Sequence, residues 1–408
     1  MNRVVITGMG TVSPFGIGKD ALLNGLTNGE SGIIHLDDLE AIAGLHSHVG
    51  GKVPNYDPKV IARKKRRTMS AMSIFAVLAA QEALEQAGLT EEDRIAPKTG
   101  LSVSSTIGSV QTMEKFFSTF LEGWSIEAIK STEFFKIMNH SVAANLAGYF
   151  QICGRVIAPS SACSTGCQSI ALAAEAIMTG RQEIMLCGGT DELHPLTNGT
   201  FDIIEAATTG YNDQPTETPR PFDEARDGIA CAEGSGILVL ESLDHAKARG
   251  ATILAELSGF ASTADPANMA SPSATAIGRC MEVALQDAGI APSEVDYINA
   301  HATGTRLGDA AESQAIASLF GDKPMVSSLK GNLGHTMAAS GAIEMICTIA
   351  MMNKGVVFPT RNLVNIADDC AGVNHVQKTA HQTVSTAIKN NFALGGINTS
   401  IVLRGYND

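Results

Sequence analysis

A helical motif that occurs once in each half of the chain most constrains the fold of this sequence. Segment 83–93 (ALEQAGLTEED) matches segment 284–294 (ALQDAGIAPSE), and each predicts a helix that ends at Ala-Gly before an acidic turn. A strand candidate follows each copy, at 101–105 and at 296–300. Chance similarity between Ala-rich helices is the alternative. Two matched features in the same order favour two related halves that join near residue 250.

The rest of the chain alternates short β-branched runs with longer Ala/Leu-rich stretches. Strands are predicted at 3–8, 101–105, 183–189, 236–241 and 253–259, and helices at 73–88, 168–180 and 276–289. This alternation predicts an α/β fold with mostly buried strands, divided into halves 1–250 and 251–408. The block 215–227, rich in Pro, Thr and charge, is predicted to be a surface loop.

Composition and charge exclude several classes of protein. A net charge of −13 and an aromatic content of 5% argue against binding to a nucleic-acid backbone or to stacked bases. No apolar run reaches the ~20 residues that a membrane-spanning helix needs, and no secretion signal is visible. Eight cysteines without paired spacing favour a reducing compartment over a disulfide framework, so we expect a cytoplasmic protein.

Small residues flank Cys163 in the segment 159–166 (PSSACSTG), which an apolar helix follows. They keep a sharp strand-to-helix turn open and place the thiol at a helix N-terminus, where the helix dipole favours the thiolate. Such a thiol is a candidate nucleophile, and an inert buried cysteine is the alternative. Cys167 follows four positions later, but no nearby His or Cys completes a zinc site, so no metal is expected.

Two histidines lie among small residues beside predicted α/β elements. His301 stands in 299–305 (NAHATGT) and His335 in 327–335 (SSLKGNLGH). Open α/β sheets bind ligands at the carboxyl ends of their strands, and imidazole exchanges protons near neutral pH. Either histidine alone could be structural. Beside Cys163, the pair forms a candidate Cys–His–His site.

Two further segments carry weaker signals. The loop 390–398 (NNFALGGIN) contains two glycines, which permit a tight turn whose backbone N–H groups face an oxyanion, and an ordinary Gly-rich hairpin is the alternative. The run 63–67 (RKKRR) concentrates five basic residues in an acidic chain. It suits a compact acidic partner, and a solvated basic turn is the alternative.

Taken together, the segments SSACSTG, INAHATGT, SSLKGNLGH and the late Gly-Gly loop resemble the β-ketoacyl-acyl-carrier-protein synthases of types I and II, the elongating condensing enzymes of the thiolase superfamily. The resemblance runs nearly end to end. It implies a thiolase-like α/β fold, with two pseudo-two-fold related halves in a layered αβαβα arrangement. It also implies an acyltransferase that condenses malonyl-acyl-carrier protein with an acyl group on Cys163 in fatty-acid chain elongation.

The resemblance implies roles for the histidine side of the site. His301 and His335 would bind the malonyl thioester carbonyl and promote its decarboxylation. The negative charge that then develops on an enolate oxygen suits two imidazole N–H donors. Lys330 and Glu312 would form a supporting charged pair that orders the two histidines.

The remaining roles concern the acyl group and the carrier protein. The backbone N–H groups of Cys163 and Leu394 would form an oxyanion hole for the acyl carbonyl. Substrate contacts are implied for four side chains, Ile107, Thr303, Thr305 and Phe392. Docking of the acyl-carrier protein is implied for Arg63, Lys64, Arg67 and Lys130. No dissociable cofactor is implied, because phosphopantetheine arrives on the carrier protein, and a homodimer is expected, with a heterodimer of related subunits as the alternative.

The sequence departs from the family pattern at the late loop, where Leu394 replaces the Phe that gates the acyl pocket. A smaller gate affects the choice of acyl chain, so a dedicated ketosynthase of a polyene or polyketide pathway stays open as the alternative function. Three other classes fit less well. A thiolase has a second Cys in the late loop, a type III synthase has Asn where His335 stands, and a non-catalytic chain-length factor typically lacks the nucleophilic Cys.

Overall fold

The computed structural model describes residues 1–266, 269 and 271–406. Its strands are β1 Val4–Ser13, β2 Gly16–Ile17, β3 Ile34–His35, β4 Val49–Gly50, β5 Thr99–Ser104, β6 Val156–Ile157, β7 Ile184–Asp191, β8 Gly234–Ser242, β9 Ala255–Ala264, β10 Tyr297–Asn299, β11 Met325–Ser327, β12 Val356–Val357, β13 Asn374–His375, β14 Ala380–His381, β15 Thr386–Ala393 and β16 Ile397–Arg404.

Its α-helices are α1 Lys19–Thr27, α2 Asp37–Glu40, α3 Arg63–Arg66, α4 Ala71–Ala87, α5 Glu91–Ile95, α6 Val110–Gly123, α7 Ser131–Ile137, α8 Ser141–Phe150, α9 Thr165–Met178, α10 Pro195–Ile203, α11 Leu243–Ala248, α12 Ala274–Ala288, α13 Arg306–Phe320, α14 Lys330–Leu333 and α15 Ser340–Lys354. None of the helices in the described part of the chain is long and apolar enough to cross a membrane.

One mixed sheet runs through the molecule, in the order β13-β11-β10-β15-β16-β9-β1-β8-β7-β5-β6. It consists of two sets of strands that meet where β1 lies antiparallel to β9, through three residue pairs. Outward from this seam, β1-β8-β7-β5 and β9-β16-β15-β10 show the same succession of antiparallel, antiparallel and parallel pairs. The matching order confirms the two related halves that the repeated motif predicts.

The helices cover the sheet in three layers. Helices α4 and α8 pack on the outer face of the first set of strands, and α12 packs on the outer face of the second with α13 beside it. Helices α9 and α15 lie between the two sets and contact strands of both. One buried apolar cluster surrounds α9 and α15 and contacts both sets of strands, and one further cluster lies under each outer helix layer. This arrangement confirms the predicted αβαβα layering.

A close approach between strand and helix explains why the repeated motif contains small residues. A Cβ atom added to Gly8 in β1 would clash with the carbonyl oxygen of Ala83 in α4, and one added to Gly259 in β9 would clash with the backbone of Ala288 in α12. The strand register shifts beside each of these glycines. Small residues on both surfaces therefore let α4 and α12 lie directly against their strands in each half.

The predicted strands and helices are present, with ends that differ by a few residues, but the prediction for block 215–227 is wrong. From residue 218 onward the block is mostly buried. Phe222 packs into the apolar cluster of the C-terminal half, and Arg226 forms a 2.8 Å ion pair with Asp369. Pro, Thr and charge mark an irregular backbone, but here the tertiary contacts bury it.

Candidate active site

Cys163 lies in the short 3-10 turn Ala162–Ser164, directly before α9. Ala162 has φ 46°, a left-handed conformation that is uncommon for a residue with a side chain and that produces the predicted sharp turn. Asn391 Nδ2 donates to the carbonyl oxygen of Cys163 at 2.8 Å and so holds the turn against β15. The backbone N–H groups of Cys163 and Leu394 act on the thiol and favour its thiolate form.

The structure corrects the expected acidity of this thiol. Burial raises the pKa of Cys163 to about 12, although the charge of Lys330 and the two backbone N–H groups act in the opposite direction. Desolvation of the thiolate thus outweighs the helix terminus on which the sequence prediction relied. The resting thiol is therefore protonated, and its proton must leave as the sulfur attacks.

The two histidines lie edge to face, with ring centroids 5.3 Å apart. His301 follows β10 and His335 follows α14, and both side chains are buried. Burial lowers the pKa of each imidazole well below its usual range, and the charge of Lys330 adds to this effect. Within the described residues, Nδ1 of His301 and both ring nitrogens of His335 have no hydrogen-bond partner. Two neutral imidazoles are thus free to bind a substrate group.

A cavity of about 360 Å³ opens beside these groups. Eight of the predicted residues line it: Cys163, His301, Thr303, Thr305, Glu312, His335, Phe392 and Leu394. Ile107 does not; its side chain is largely exposed just before α6. Phe201, from α10, also lines the cavity and was not predicted, because nothing in the local sequence marks an apolar helix residue as a pocket wall.

The direct ion pair of Lys330 is with Glu344 rather than with Glu312, although the charge of Glu312 also acts on Lys330. Lys330 Nζ lies 2.7 Å from Glu344 Oε1, on α15, and both side chains are buried. The carboxylate of Glu312 instead accepts hydrogen bonds from the backbone N–H groups of His301, at 3.0 Å, and Ala302, at 2.8 Å. Lys330 and Glu312 therefore both support the histidine side, but each through a different partner.

A second carboxylate shapes the loop that carries the predicted pantetheine contacts. Asp309 is fully buried and accepts from the backbone N–H groups of Thr303, at 2.9 Å, and Gly304, at 3.2 Å. Arg226 donates to the carbonyl oxygen of Thr305 at 3.3 Å. Hydrogen bonds to Asp309 and from Arg226 thus fix the loop beside His301. The sequence analysis assigned neither residue to the site.

The mouth of the cavity is formed by the late loop. Leu394, at the position of the expected gating Phe, is 39% exposed. Gly395 has φ 91° and donates from its backbone N–H to the carbonyl oxygen of Met269 at 2.8 Å. The predicted tight turn is present as the turn of the β15–β16 hairpin, and the N–H of Gly396 donates within it to the carbonyl oxygen of Ala393 at 3.0 Å.

The predicted docking residues lie on the surface. Arg63, Lys64 and Arg67 are exposed on and after α3, and Lys130 is exposed just before α7. None of the four forms a salt bridge with any described residue of the chain. Lys65 differs, because it turns toward α8 and lies over the ring of Tyr149.

Comparison with known proteins decides the family. The model described as "Beta-ketoacyl synthase, N-terminal domain" matches residues 1–246, and "Beta-ketoacyl synthase, C-terminal domain" matches residues 254–364. The chain belongs to the beta-ketoacyl synthase family. It is 37% identical to 3-oxoacyl-[acyl-carrier-protein] synthase 1 of Escherichia coli (strain K12), over 100% of both chains.

Solved structures of the family agree with this assignment. A beta-ketoacyl synthase from Burkholderia phymatum matches with a TM-score of 0.96 and 39% identity, over 100% of both chains. A type II polyketide-synthase ketosynthase, solved with its acyl-carrier protein and bound to the hexaketide, matches with a TM-score of 0.92 and 32% identity, again over 100% of both chains. The beta-ketoacyl synthase fold is thus shared along the whole chain.

Proposed function

We propose that this chain is a 3-oxoacyl-acyl-carrier-protein synthase that elongates fatty-acyl chains. It takes an acyl group onto Cys163 as a thioester and condenses it with malonyl-acyl-carrier protein. The observation that carries the proposal is the convergence of Cys163, His301 and His335 on one cavity, with two backbone N–H groups beside the sulfur. The curated relatives that match over the full length are named for this activity.

In the first half-reaction, Cys163 Sγ attacks the thioester carbonyl of the acyl-carrier protein. The thiol proton passes to a neutral imidazole of the histidine pair and then to the departing pantetheine thiolate, so that no net proton is consumed. The N–H groups of Cys163 and Leu394 stabilise the oxyanion of the tetrahedral intermediate. The product is acyl-Cys163 and free carrier-protein thiol.

In the second half-reaction, the malonyl thioester carbonyl oxygen accepts hydrogen bonds from the imidazole N–H groups of His301 and His335. The bond to the carboxylate breaks, carbon dioxide leaves, and its electron pair remains as an enolate that the two imidazoles stabilise. The enolate carbon attacks the acyl carbonyl, the bond from that carbonyl to Cys163 Sγ breaks, and the released thiolate takes up one proton from the solvent. Neither step needs a metal or a dissociable cofactor, and we propose that the carrier protein supplies the phosphopantetheine.

We propose the acyl-carrier protein as the partner of the basic surface. Its predicted site comprises Arg63, Lys64, Arg67 and Lys130, which are exposed and whose side chains form no salt bridge with the described residues. The solved complex of a related ketosynthase with its acyl-carrier protein supports this class of partner. The chain has a net charge of −13, so most of its surface repels an acidic protein. An exposed basic surface on such a chain attracts the acidic partner and directs where it binds.

Reversing Arg63, Lys64 and Arg67 to Glu is expected to weaken carrier-protein binding by at least ~10-fold at low salt, because each reversal replaces attraction with repulsion. The matched control reverses three exposed lysines elsewhere, Lys323, Lys354 and Lys378, which gives the same net charge. Titration by surface plasmon resonance at several salt concentrations measures the effect. Equal weakening in both variants, or in neither, would remove this surface from the account.

We also propose that a second copy of the chain covers the apolar surface formed by α6, α7 and the segment between them. Trp124 and Ile126 are 76% and 74% exposed there, and Phe117, Leu121, Phe134 and Phe135 are each about half exposed. Monomers seldom leave such a continuous apolar area in water. A related subunit at the same surface would make the heterodimer.

Changing Trp124 and Ile126 to Glu is expected to convert the dimer to monomers, because two buried carboxylates at the interface would have no partners. Light scattering after gel filtration measures the mass. Val364→Glu, at an exposed apolar residue away from this surface, is the control and should leave the dimer intact. A wild-type chain that is monomeric, or a double variant that stays dimeric, contradicts the proposal.

A dedicated polyene or polyketide ketosynthase is the second candidate function, and Leu394 is the observation that favours it. A gate residue smaller than Phe, and 39% exposed, leaves more room for stiff acyl chains. A competition assay with saturated and conjugated acyl-carrier proteins of equal length distinguishes the two. Faster elongation of saturated chains supports fatty-acid synthesis, and faster elongation of conjugated chains supports the second candidate.

A further inference from the structure

A second buried lysine lies beside the site, and the chemistry described above gives it no role. Lys389, on β15, has no exposed surface. Its Nζ donates to Glu344 Oε2 at 2.8 Å and to the carbonyl oxygen of Asn390 at 2.5 Å. Lys330 Nζ lies against the other carboxylate oxygen of Glu344, at 2.7 Å. One buried carboxylate therefore binds two lysines, one on each oxygen.

The next residue along β15 connects this group to His301. Asn390 Nδ2 donates to Glu312 Oε1 at 3.2 Å, and the same oxygen accepts from the backbone N–H of His301 at 3.0 Å. The network thus contains two lysines and two glutamates, all buried, and its charges balance. Without Lys389 it would hold one buried negative charge in excess, which a protein interior tolerates poorly.

We infer that Lys389 is a positioning residue for the histidine pair: by binding Glu344 it fixes Lys330, and it holds a second positive charge close to both imidazoles during decarboxylation. This inference rests on the proposed condensation. It assigns Lys389 no contact with substrate. Its effect passes through Glu344 and through the electrostatic potential at His301 and His335.

The chemistry explains why such a charge is useful. After carbon dioxide leaves, a neutral imidazole stabilises the enolate oxygen through an N–H hydrogen bond. An imidazolium would instead give its proton to the enolate carbon, and the malonyl group would end as an acetyl thioester rather than join the acyl chain. Burial, then the charges of Lys330 and Lys389, lower the pKa of His301 and His335 and so disfavour the imidazolium.

Lys389 is not the only ionisable group near the pair. The buried groups nearest the two imidazoles include Cys163 on the 3-10 turn, Asp309 and Glu312 on α13, Lys330 on α14, Glu344 on α15 and Lys389 on β15. Cys231 pairs with His335 through the backbone, Asp191 lies beside Cys163, and Glu205, Asp227, Asp265 and Arg306 line the same cavity. Among them Lys389 can be replaced without removing a group that touches substrate. Lys389→Met keeps the length of the side chain and removes only its charge and donors.

The experiment mixes acylated enzyme with malonyl-acyl-carrier protein between about pH 6 and 8, the range around the ordinary histidine pKa. The amounts of 3-oxoacyl- and acetyl-carrier protein are measured by mass spectrometry. In Lys389→Met we expect acylation of Cys163 to be preserved and condensation to slow on the order of 10²-fold, as for a misplaced reacting group. The acetyl fraction should rise as the pH falls, and Lys354→Met, at an exposed lysine, should behave as wild type.

A folded Lys389→Met variant with wild-type rate and product ratio at every pH overturns the inference, and so does an equal change in Lys354→Met. If Lys389→Met does not fold, the charge-balanced variant Lys389→Met/Glu344→Gln takes its place. Its condensation rate should match that of Glu344→Gln alone, because Lys389 positions Lys330 through Glu344, but its acetyl fraction at low pH should be higher, because the charge of Lys389 near the imidazoles is gone. A further loss of rate, or an unchanged acetyl fraction, would contradict the inference. A wild-type chain that yields no 3-oxoacyl product would instead refute the proposed function itself.

Discussion

Replacing Cys163 with Ala is expected to abolish acyl transfer, with a loss of at least ~10³-fold, because no other group in the described cavity can form the thioester. The reaction is followed by intact-protein mass spectrometry after mixing with acyl-acyl-carrier protein. Wild type should gain the mass of one acyl group, and the variant should gain none. The cavity has no second thiol among its lining residues, so residual transfer cannot shift to a neighbour.

Cys153→Ala is the control for this experiment, since Cys153 is the exposed thiol among the described cysteines. It should acylate like wild type. Acylation that survives in Cys163→Ala and disappears in Cys153→Ala would show that a surface thiol reacts and that Cys163 is a structural residue. Thermal unfolding of both variants shows whether the site is intact.

Replacing His301 or His335 with Ala is expected to leave acylation of Cys163 in place and to reduce condensation by about 10²- to 10⁴-fold. One remaining imidazole still accepts the thiol proton, but the enolate loses one of its two N–H donors. Release of labelled carbon dioxide from malonyl-acyl-carrier protein measures the decarboxylation directly. His301 and His335 are both buried, so His→Asn variants serve as smaller perturbations that keep a donor.

Normal elongation by both alanine variants would contradict the assigned mechanism. Loss of acylation in both variants would show that the first half-reaction needs both histidines, which also contradicts the account. The two half-reactions are separable in time, because acylated enzyme can be isolated before malonyl-carrier protein is added. Each histidine variant therefore yields one rate for each step.

Much of the fold could be predicted because the two related halves share short sequence features. The Ala-Gly helix ends occur in both halves because Gly88 and Gly289 each adopt the left-handed conformation after α4 and α12. Gly8 and Gly259 are needed where those helices touch their strands. Because the same glycines and helix ends occur in both halves, the repeat is visible in the sequence even where the contacting elements, such as β1 and α4, lie far apart along the chain.

The partners of buried charges could not be predicted in the same way. Lys330 and Glu344 are 14 positions apart on different helices, and Lys389 lies on a strand much later in the chain. Nothing in the local pattern distinguishes Glu344 from Glu312, and only the fold brings one of them to Lys330. The resemblance indicated a charged pair at the histidines, and the structure shows which carboxylate forms it.

The acidity of Cys163 was predicted in the wrong direction for a related reason. A helix N-terminus is visible in the sequence, whereas the degree of burial depends on how late-loop and α15 residues close over the turn. Burial raises the pKa of Cys163 to about 12 despite the helix. The block 215–227 shows the same limit, because its composition does not reveal that Phe222 is buried.

The most direct test of the central claim is a single reaction of the purified chain with acyl-acyl-carrier protein and carbon-13-labelled malonyl-acyl-carrier protein. We predict an acyl adduct on Cys163, then its disappearance together with a 3-oxoacyl-carrier protein that is two labelled carbons longer, and one carbon dioxide for each product. An adduct that forms but never converts, or a product that appears with Cys163 replaced by Ala, would contradict the account.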